Sequence, residues 1–122
     1  MPLSQISITQ RNQECLNLIS EKKYFNNEIS IAQFAAIYLL RNYEIDNLFD
    51  LPIDKYIPIS SYSNNKWHLS DVDNDGFIRK SLVLFDPKIE DSDYALRAAV
   101  SLGLDKIFDI IRNKSWDILE LL

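Results

Sequence analysis

The segment from Ile31 to Leu40 constrains the fold more than any other feature of the sequence. It reads Ile-Ala-Gln-Phe-Ala-Ala-Ile-Tyr-Leu-Leu, so a helix formed by it is apolar nearly all round and has to be covered on most sides. Ser30 and Gln33 have the spacing of a capping box. Ile29 and Phe34 have the spacing of a hydrophobic staple. We therefore expect a helix that is capped by Ser30 and lies at the centre of the fold.

The excess apolar surface of this helix also predicts self-association. Such a surface can be covered by the rest of the domain or by another copy of the chain. We expect a homodimer in which the helix at 30–43 contributes to the interface. The candidate contacts are Phe34, Ile37 and Tyr38.

The preceding segment predicts a strand followed by a helix. Ile6 and Ile8 alternate with polar residues, which is typical of a short half-buried strand. Thr9 can then cap an amphipathic helix over about 10–24. The apolar face of this helix is predicted to hold Cys15, Leu16, Leu18, Ile19 and Phe25.

The rest of the chain is predicted to be mainly helical with a small central β component. Pro52 and Pro58 preclude one long helix in the middle, and the segment 76–86 fits a buried strand and a helix equally well. Asp91 or Ser92 can cap a helix to about Leu102. Gly103 suits the position that ends this helix, before a further apolar segment at 104–111. The predicted class is α+β.

Length and composition limit the number of domains and the cellular compartment that we expect. Its 122 residues fit one domain, 1–122, and only two glycines favour helices over many turns. The apolar runs are too short to cross a bilayer, and the N-terminus shows no hydrophobic signal region. The single cysteine, Cys15, has no partner for an internal disulfide. We expect a cytoplasmic protein with no membrane contact.

Charge separates the chain into two parts. Residues 1–43 carry four Lys/Arg against three Asp/Glu, whereas residues 44–122 carry nine against fifteen. The acidic part repels phosphate and suits a protein partner. In the N-terminal part, the strand and the two helices resemble a ribbon-helix-helix DNA-binding dimer. This alternative would use Gln5, Ser7 and Thr9 as outward base-facing residues, with phosphate contacts from Arg11 and Lys22–Lys23.

A calcium loop is suggested by the carboxylates Asp71, Asp73 and Asp75, which precede Gly76 at the spacing of an EF-hand. The bidentate Glu that normally occupies the twelfth position is replaced here by Leu82. We therefore expect a solvated acidic turn and no metal.

The sequence shows no set of residues typical of a catalytic site. Cys15 and His68 are the only residues of their types, which excludes a His/Cys zinc site within one chain. Cys15 is predicted to be a buried and inert thiol. The carboxylates Glu90, Asp91 and Asp93 lie at a predicted helix start, where they favour the helix dipole. With no phosphate loop or nucleophile motif, we expect a non-enzyme without a cofactor.

Two parts of the chain resemble the small bacterial proteins associated with the Dnd system, which are encoded beside DNA phosphorothioation genes. One part is Ile6–Tyr43, with Lys23-Tyr24-Phe25 before the break and Ile31–Leu40 after it. The other is the helical tail Asp93–Leu122, and residues 44–75 do not match. The resemblance implies an accessory of a bacterial DNA-modification or phage-defence locus and carries over no catalytic residue.

The sequence therefore favours a non-catalytic accessory or interaction protein that binds itself and another protein. A ribbon-helix-helix-like DNA-binding regulator and an acidic inhibitor or immunity-type protein remain as alternatives. Salt-dependent DNA binding distinguishes the regulator from an acidic adaptor.

Overall fold

The computed structural model describes residues 4–42, 55–58 and 60–113, with side chains described up to Ile111. The predicted α+β class, mainly helical with an N-terminal strand and a central β component, is confirmed. In chain order the elements are strand β1 (Gln5–Thr9), helices α1 (Gln10–Glu21) and α2 (Glu28–Arg41), strand β2 (Tyr62–His68), and helices α3 (Leu69–Val72), α4 (Phe77–Phe85) and α5 (Ser92–Asn113).

The start of the chain folds as its pattern predicts. Ile6 and Ile8 are fully buried in β1, and Thr9 caps α1. The Thr9 hydroxyl accepts a hydrogen bond from the Asn12 backbone N–H at 3.0 Å, and the Asn12 side chain accepts from the Thr9 N–H at 3.1 Å. This reciprocal pair is a capping box, and it fixes the direction in which α1 leaves the strand.

The apolar face of α1 is narrower than predicted. Cys15, Leu16 and Ile19 are fully buried, but Leu18 is 38% exposed. At 3.6 residues per turn Leu18 lies at the margin of this face. The helix ends at Glu21 and not near residue 24, because Lys23 adopts a left-handed backbone conformation with φ of 60°.

Helix α2 begins earlier than the sequence predicted, so the capping box at Ser30 is wrong. Asn27 is the N-cap, and its side-chain oxygen accepts from the Ser30 backbone N–H at 2.9 Å. Ser30 therefore lies within the first turn. The Gln33 side chain donates instead to the Val72 carbonyl at 2.9 Å. An Asn cap is as favourable as a Ser cap, and the earlier start places Glu28 where the helix dipole favours an acid.

The sheet pairs β1 with β2 in antiparallel orientation. Gln5 lies opposite His68, Ile6 opposite Trp67, and the register shifts between Ser7 and Thr9. Along β2 exposed and half-buried residues alternate, so one face of the strand covers the core and the other meets solvent.

Helix α5 is continuous from Ser92 to Asn113, so the predicted end at Gly103 is wrong. Asp91 caps α5 by accepting from the backbone N–H groups of Asp93 and Tyr94 at 3.1 and 3.2 Å. Gly103 lies inside α5 at its crossing with α2. A Cβ there would be 2.2 Å from the Ala35 carbonyl oxygen. The glycine therefore permits a close helix crossing and does not end the helix.

Helices α2 and α5 form the largest interface within the described residues, and the predicted central position of α2 is confirmed. Most of their inward side chains are fully buried, and the smallest are Ala32, Ala35, Ala36, Ala95 and Ala99. Small side chains on both helices let the two backbones approach closely. No helix among the described residues combines the length and the apolar character that a membrane span needs.

Candidate interaction site

The residues of the DNA-binding alternative lie on and beside β1, but they are only partly available. Gln5 and Ser7 are half-buried, while Thr9 is 1% exposed and its hydroxyl is engaged in the cap of α1. The outward orientation expected of Thr9 is therefore wrong. In addition, β1 pairs with β2 of the same chain, which occupies one of its two edges.

Arg11 faces carboxylates of its own chain. Its guanidinium forms ion pairs with Asp109 and with Asp105, the latter at 3.4 Å from Nε to Oδ1. It also lies 4.8 Å from the centre of the Phe108 ring, within the range of a cation–π interaction. These contacts hold α1 against α5, so Arg11 is a structural cation in this conformation.

A polar network that the sequence did not reveal surrounds Asp105. The Asn12 side chain donates to Asp105 at 2.9 Å and to the Ser101 carbonyl at 3.1 Å. The Tyr56 hydroxyl donates to Asp105 at 3.4 Å. Burial raises the pKa of Asp105, and burial together with this carboxylate raises the pKa of Tyr56 to about 12. The network connects α1, α5 and the segment 55–58, and its groups are committed to one another.

The three aspartates of the suggested calcium loop do not converge. Asp71 is exposed in α3, while Asn74 and Asp75 form the predicted turn. Asp73 is 3% exposed, and its carboxylate accepts from the backbone N–H groups of Ile78 and Arg79, both at 3.0 Å. It therefore works as a buried cap for α4. No group of three His, Cys, Asp or Glu side chains among the described residues is placed to hold a metal ion.

Arg79 occupies the place beside Asp73 where a cation would sit. Its Nε lies 2.9 Å from the Asp73 carboxylate, and its Nη1 lies 3.0 Å from Asp93 at the start of α5. This pair of contacts joins the Asp73 turn to α4 and α5. The segment 76–86, which fitted a strand and a helix equally well, contains helix α4 from Phe77 to Phe85. Gly76 precedes the helix and has a left-handed backbone conformation with φ of 75°.

Cys15 and His68 have separate environments. Cys15 lies on the buried face of α1, and burial raises the pKa of its thiol to about 12. His68 is exposed at the end of β2. A thiol that is buried and protonated is a poor nucleophile, as the sequence predicted for Cys15.

The most distinctive exposed feature is a line of side chains along α4. Phe77, Lys80 and Leu84 follow one another at helical spacing and point away from the core, since Ile78 and Leu82 occupy the buried face. Phe77 is 65% exposed and Leu84 is 81% exposed. We refer to Phe77, Lys80 and Leu84 as the α4 stripe. Large apolar side chains exposed together on one helix are typical of binding surfaces.

A hollow lies on each side of the α4 stripe. The first has a volume of about 670 Å³ and is lined by Gly76, Arg79, Lys80, Val83, Leu84 and Ser92. We call it the Val83 hollow. The second, the Ile37 hollow, has a volume of about 420 Å³ and is lined by residues that include Gln33, Ile37, Val72 and Phe77. Together they make the stripe a ridge between two depressions.

The predicted self-association residues meet this surface at one point. Ile37 is 43% exposed and lines the Ile37 hollow beside Phe77. Phe34 and Tyr38 are half-buried. Phe34 packs at ring-centre distances of 5.4 Å from Phe25 and 6.2 Å from Tyr38. Of the three residues, Ile37 is therefore the most exposed. Helix α4, with Phe77 and Leu84, contributes more exposed apolar surface than α2 does.

Sequence reasoning did not find the α4 stripe because the run Phe77–Phe85 has no decisive period. A short apolar run fits a buried strand and an amphipathic helix equally well. The signal that would have favoured a helix is the Asp73 side chain, which caps the backbone N–H groups five and six residues later.

A scan against protein-family models finds no match, and searches of curated proteins and of solved structures find none either. The resemblance to the Dnd-associated proteins therefore stays a prediction from the sequence.

Proposed function

We propose that this protein is a non-catalytic accessory protein that acts by binding, and that the α4 stripe is its binding surface. The observation that carries the proposal is the exposure of Phe77 and Leu84, at 65% and 81%, on a helix whose opposite face is buried. Exposed apolar groups of this size cost free energy in water, which a partner recovers by covering them.

A role without chemistry of its own is supported by how the polar groups are used. The charged and polar side chains with the most contacts, Asp73, Arg79 and Asp105, bind other groups of the same chain. The thiol of Cys15 is buried. These contacts stabilise the fold and leave the apolar surface of α4 as the candidate for function.

The setting that we propose is a DNA-modification or anti-phage defence locus in the bacterial cytoplasm. Its support is the resemblance of Ile6–Tyr43 and Asp93–Leu122 to proteins encoded at such loci. The alternative of a DNA-binding regulator has less support, because Arg11 is paired with Asp105 and Asp109 and Thr9 is buried. An acidic inhibitor would differ from the proposed accessory in its partner, and the α4 stripe would serve either.

The test is co-expression with the proteins encoded beside its gene. We expect at least one of them to co-purify with the wild type and with Ile57→Asp, but not with Leu84→Asp. Ile57 is the matched control, because it is 79% exposed and lies outside α4. Circular dichroism has to show that both variants are folded. Co-purification that survives Leu84→Asp, or strong salt-dependent binding of DNA by the protein alone, would contradict the proposal.

A further inference from the structure

The α4 stripe has a pattern that is complementary to itself. We propose that a second copy of this chain covers the stripe, with the two α4 helices antiparallel about a two-fold axis. The inference rests on the proposed function, since it concerns the same surface: the second copy covers the stripe in the free protein, and a neighbouring protein that binds the stripe displaces it. Four properties of the described residues carry it: the spacing of the apolar ends, the centre of the stripe, the charges at its ends and its area.

The apolar side chains stand at the two ends of the stripe. Phe77 and Leu84 are seven residues apart, about 10 Å along the helix axis. If the two-fold axis passes between Lys80 and Ser81, each Phe77 lies opposite the Leu84 of the other copy. The Leu84 side chain then reaches the Ile37 hollow beside Phe77. A two-fold contact of this kind uses the same surface on both copies and closes at two.

The residues between the two apolar ends, Lys80 of the stripe and the neighbouring Ser81, tolerate burial. Ser81 is small, and its hydroxyl already donates to the Phe77 carbonyl at 2.8 Å, so covering it leaves no unpaired donor. The two-fold axis brings the Lys80 side chains of the two copies side by side, so each has to lay its methylene groups along the contact and turn its ammonium group away from the other into water, where solvent screens their repulsion. Neither residue imposes the cost of a buried polar group without a partner.

The charges at the ends of α4 are opposite. Asp75 is exposed just before the helix, and Lys88 is exposed just after it. An antiparallel pair brings the Asp75 of each copy towards the Lys88 of the other, whereas a parallel pair would place like charges together. The chain has a net charge of −5, so a second copy is attracted by this local pattern and not by the overall charge.

The exposed area suits a weak dimer. Phe77, Leu84, Val83 and Ile37 together offer roughly 400 Å² of exposed side chain per copy, taking about 200 Å² for a whole Phe. With its polar rim, the pair would bury on the order of 1,000 Å² in total, the lower limit of specific interfaces. We therefore expect association in the micromolar range.

The first experiment is sedimentation equilibrium of the full chain from about 1 to 200 µM, a range that brackets the expected dissociation constant. We expect the mass to rise from 14.2 kDa towards twice that value. Leu84→Asp should weaken the association at least tenfold, since it places a charge within each of the two apolar contacts between Leu84 and Phe77. Ile57→Asp, at a site of similar exposure (79% against 81%), should leave it unchanged.

The second experiment tests the antiparallel arrangement by charge exchange. Asp75→Lys and Lys88→Asp should each weaken self-association several-fold, because each creates two contacts between like charges. Mixing the two variants should restore the dimer as a heterodimer, in which both contacts again join opposite charges. Asp75→Lys also loses the hydrogen bond from the Phe77 N–H at 3.1 Å, so its folding is checked by thermal melting.

A monomer at all concentrations, or a dimer that Leu84→Asp leaves intact, would overturn the inference, and dissociation of that dimer by Phe34→Asp would place its interface on α2. A mixture of charge variants that does not reassemble would also overturn the inference. These failures are distinguishable from failure of the proposed function. If the protein is a monomer and Leu84→Asp abolishes co-purification of a neighbouring protein, the proposed function stands and the dimer fails. If the stripe forms a dimer and no neighbouring protein co-purifies, the dimer stands and the proposed function fails.

Discussion

The substitution Gly103→Ala tests the close approach between helices α2 and α5. Gly103 is buried in α5, and an added Cβ would lie 2.2 Å from the Ala35 carbonyl oxygen, 2.7 Å from its carbonyl carbon and 3.2 Å from its Cβ. The nearest atoms belong to the backbone of α2. A side-chain rotation therefore cannot relieve the overlap, and the helices have to move apart by about 1 Å to restore van der Waals distances.

Two opposing effects set the expected magnitude. Alanine favours a helix interior over glycine by about 1 kcal/mol. Overpacking a well-packed core costs about 1–3 kcal/mol and more when the backbone has to shift. Because the shift would disturb the largest helix interface of the described residues, we expect the second effect to win by about 2 kcal/mol. For a chain of this size the melting temperature should fall by about 5–10 °C.

The assay is urea unfolding followed by far-ultraviolet circular dichroism, with three comparison variants. Ala35→Gly removes the Cβ at 3.2 Å but leaves the carbonyl oxygen at 2.2 Å, so combining it with Gly103→Ala should not rescue stability. Gly76→Ala is the control without overlap, since its nearest neighbours are flexible side-chain atoms at 3.7 and 4.0 Å. It should lose about 1 kcal/mol, through its left-handed backbone alone.

Two results would refute the reasoning about Gly103. A gain of about 1 kcal/mol would mean that helix propensity decides and that the helices are not in close contact there. A loss of about 1 kcal/mol, equal to that of Gly76→Ala, would fit a glycine that ends a helix, as the sequence predicted.

Three further predictions follow from the caps and the core. Asn27→Ala should lower the free energy of unfolding by about 1 kcal/mol, whereas Ser30→Ala should change it by less than about 0.5 kcal/mol in the same urea titration. Asp73→Ala should cost about 2 kcal/mol, because two backbone N–H groups and a guanidinium lose their acceptor, while the exposed Asp71→Ala should cost almost nothing and millimolar calcium should leave both melting temperatures unchanged. Burial raises the pKa of Cys15 from 9.0 to about 12, so between these pH values the folded state keeps a proton that the unfolded state releases. The free energy of unfolding should therefore fall as pH rises from 9 towards 12. Cys15→Ala should make that fall shallower by about 1.4 kcal/mol per pH unit.

Local patterns in the sequence were sufficient for the first two elements. Ile6 and Ile8 alternate with polar residues, and Thr9 follows them as a capping residue, so strand, cap and helix agree with one another. The structure has β1, the Thr9 cap and α1 in these positions. Each signal here depends on neighbours within four residues, which is the range over which sequence patterns act.

Signals that allow two interpretations were resolved only by packing. Asn27 and Ser30 are equally good caps, and the choice between them depends on where the helix meets the core. Gly103 can end a helix or allow a close crossing, and the position of Ala35 on another helix decides which. Contacts between residues far apart in the sequence leave no local pattern, so the network around Asp105 could not be predicted either.

The location of the candidate site also depends on packing between distant residues, which the sequence pattern does not show. The apolar excess of α2 predicts self-association. In the structure α5 covers most of this apolar surface, and Ile37 remains exposed next to α4. The main exposed apolar surface lies on α4 and not on α2. The Asp73 cap and the Arg79 ion pairs hold α4 with Ile78 and Leu82 facing the core. Phe77 and Leu84 then have to point outward, since residues on the opposite side of a helix cannot share its buried face. The polar contacts of this turn therefore determine which apolar residues are available to a partner.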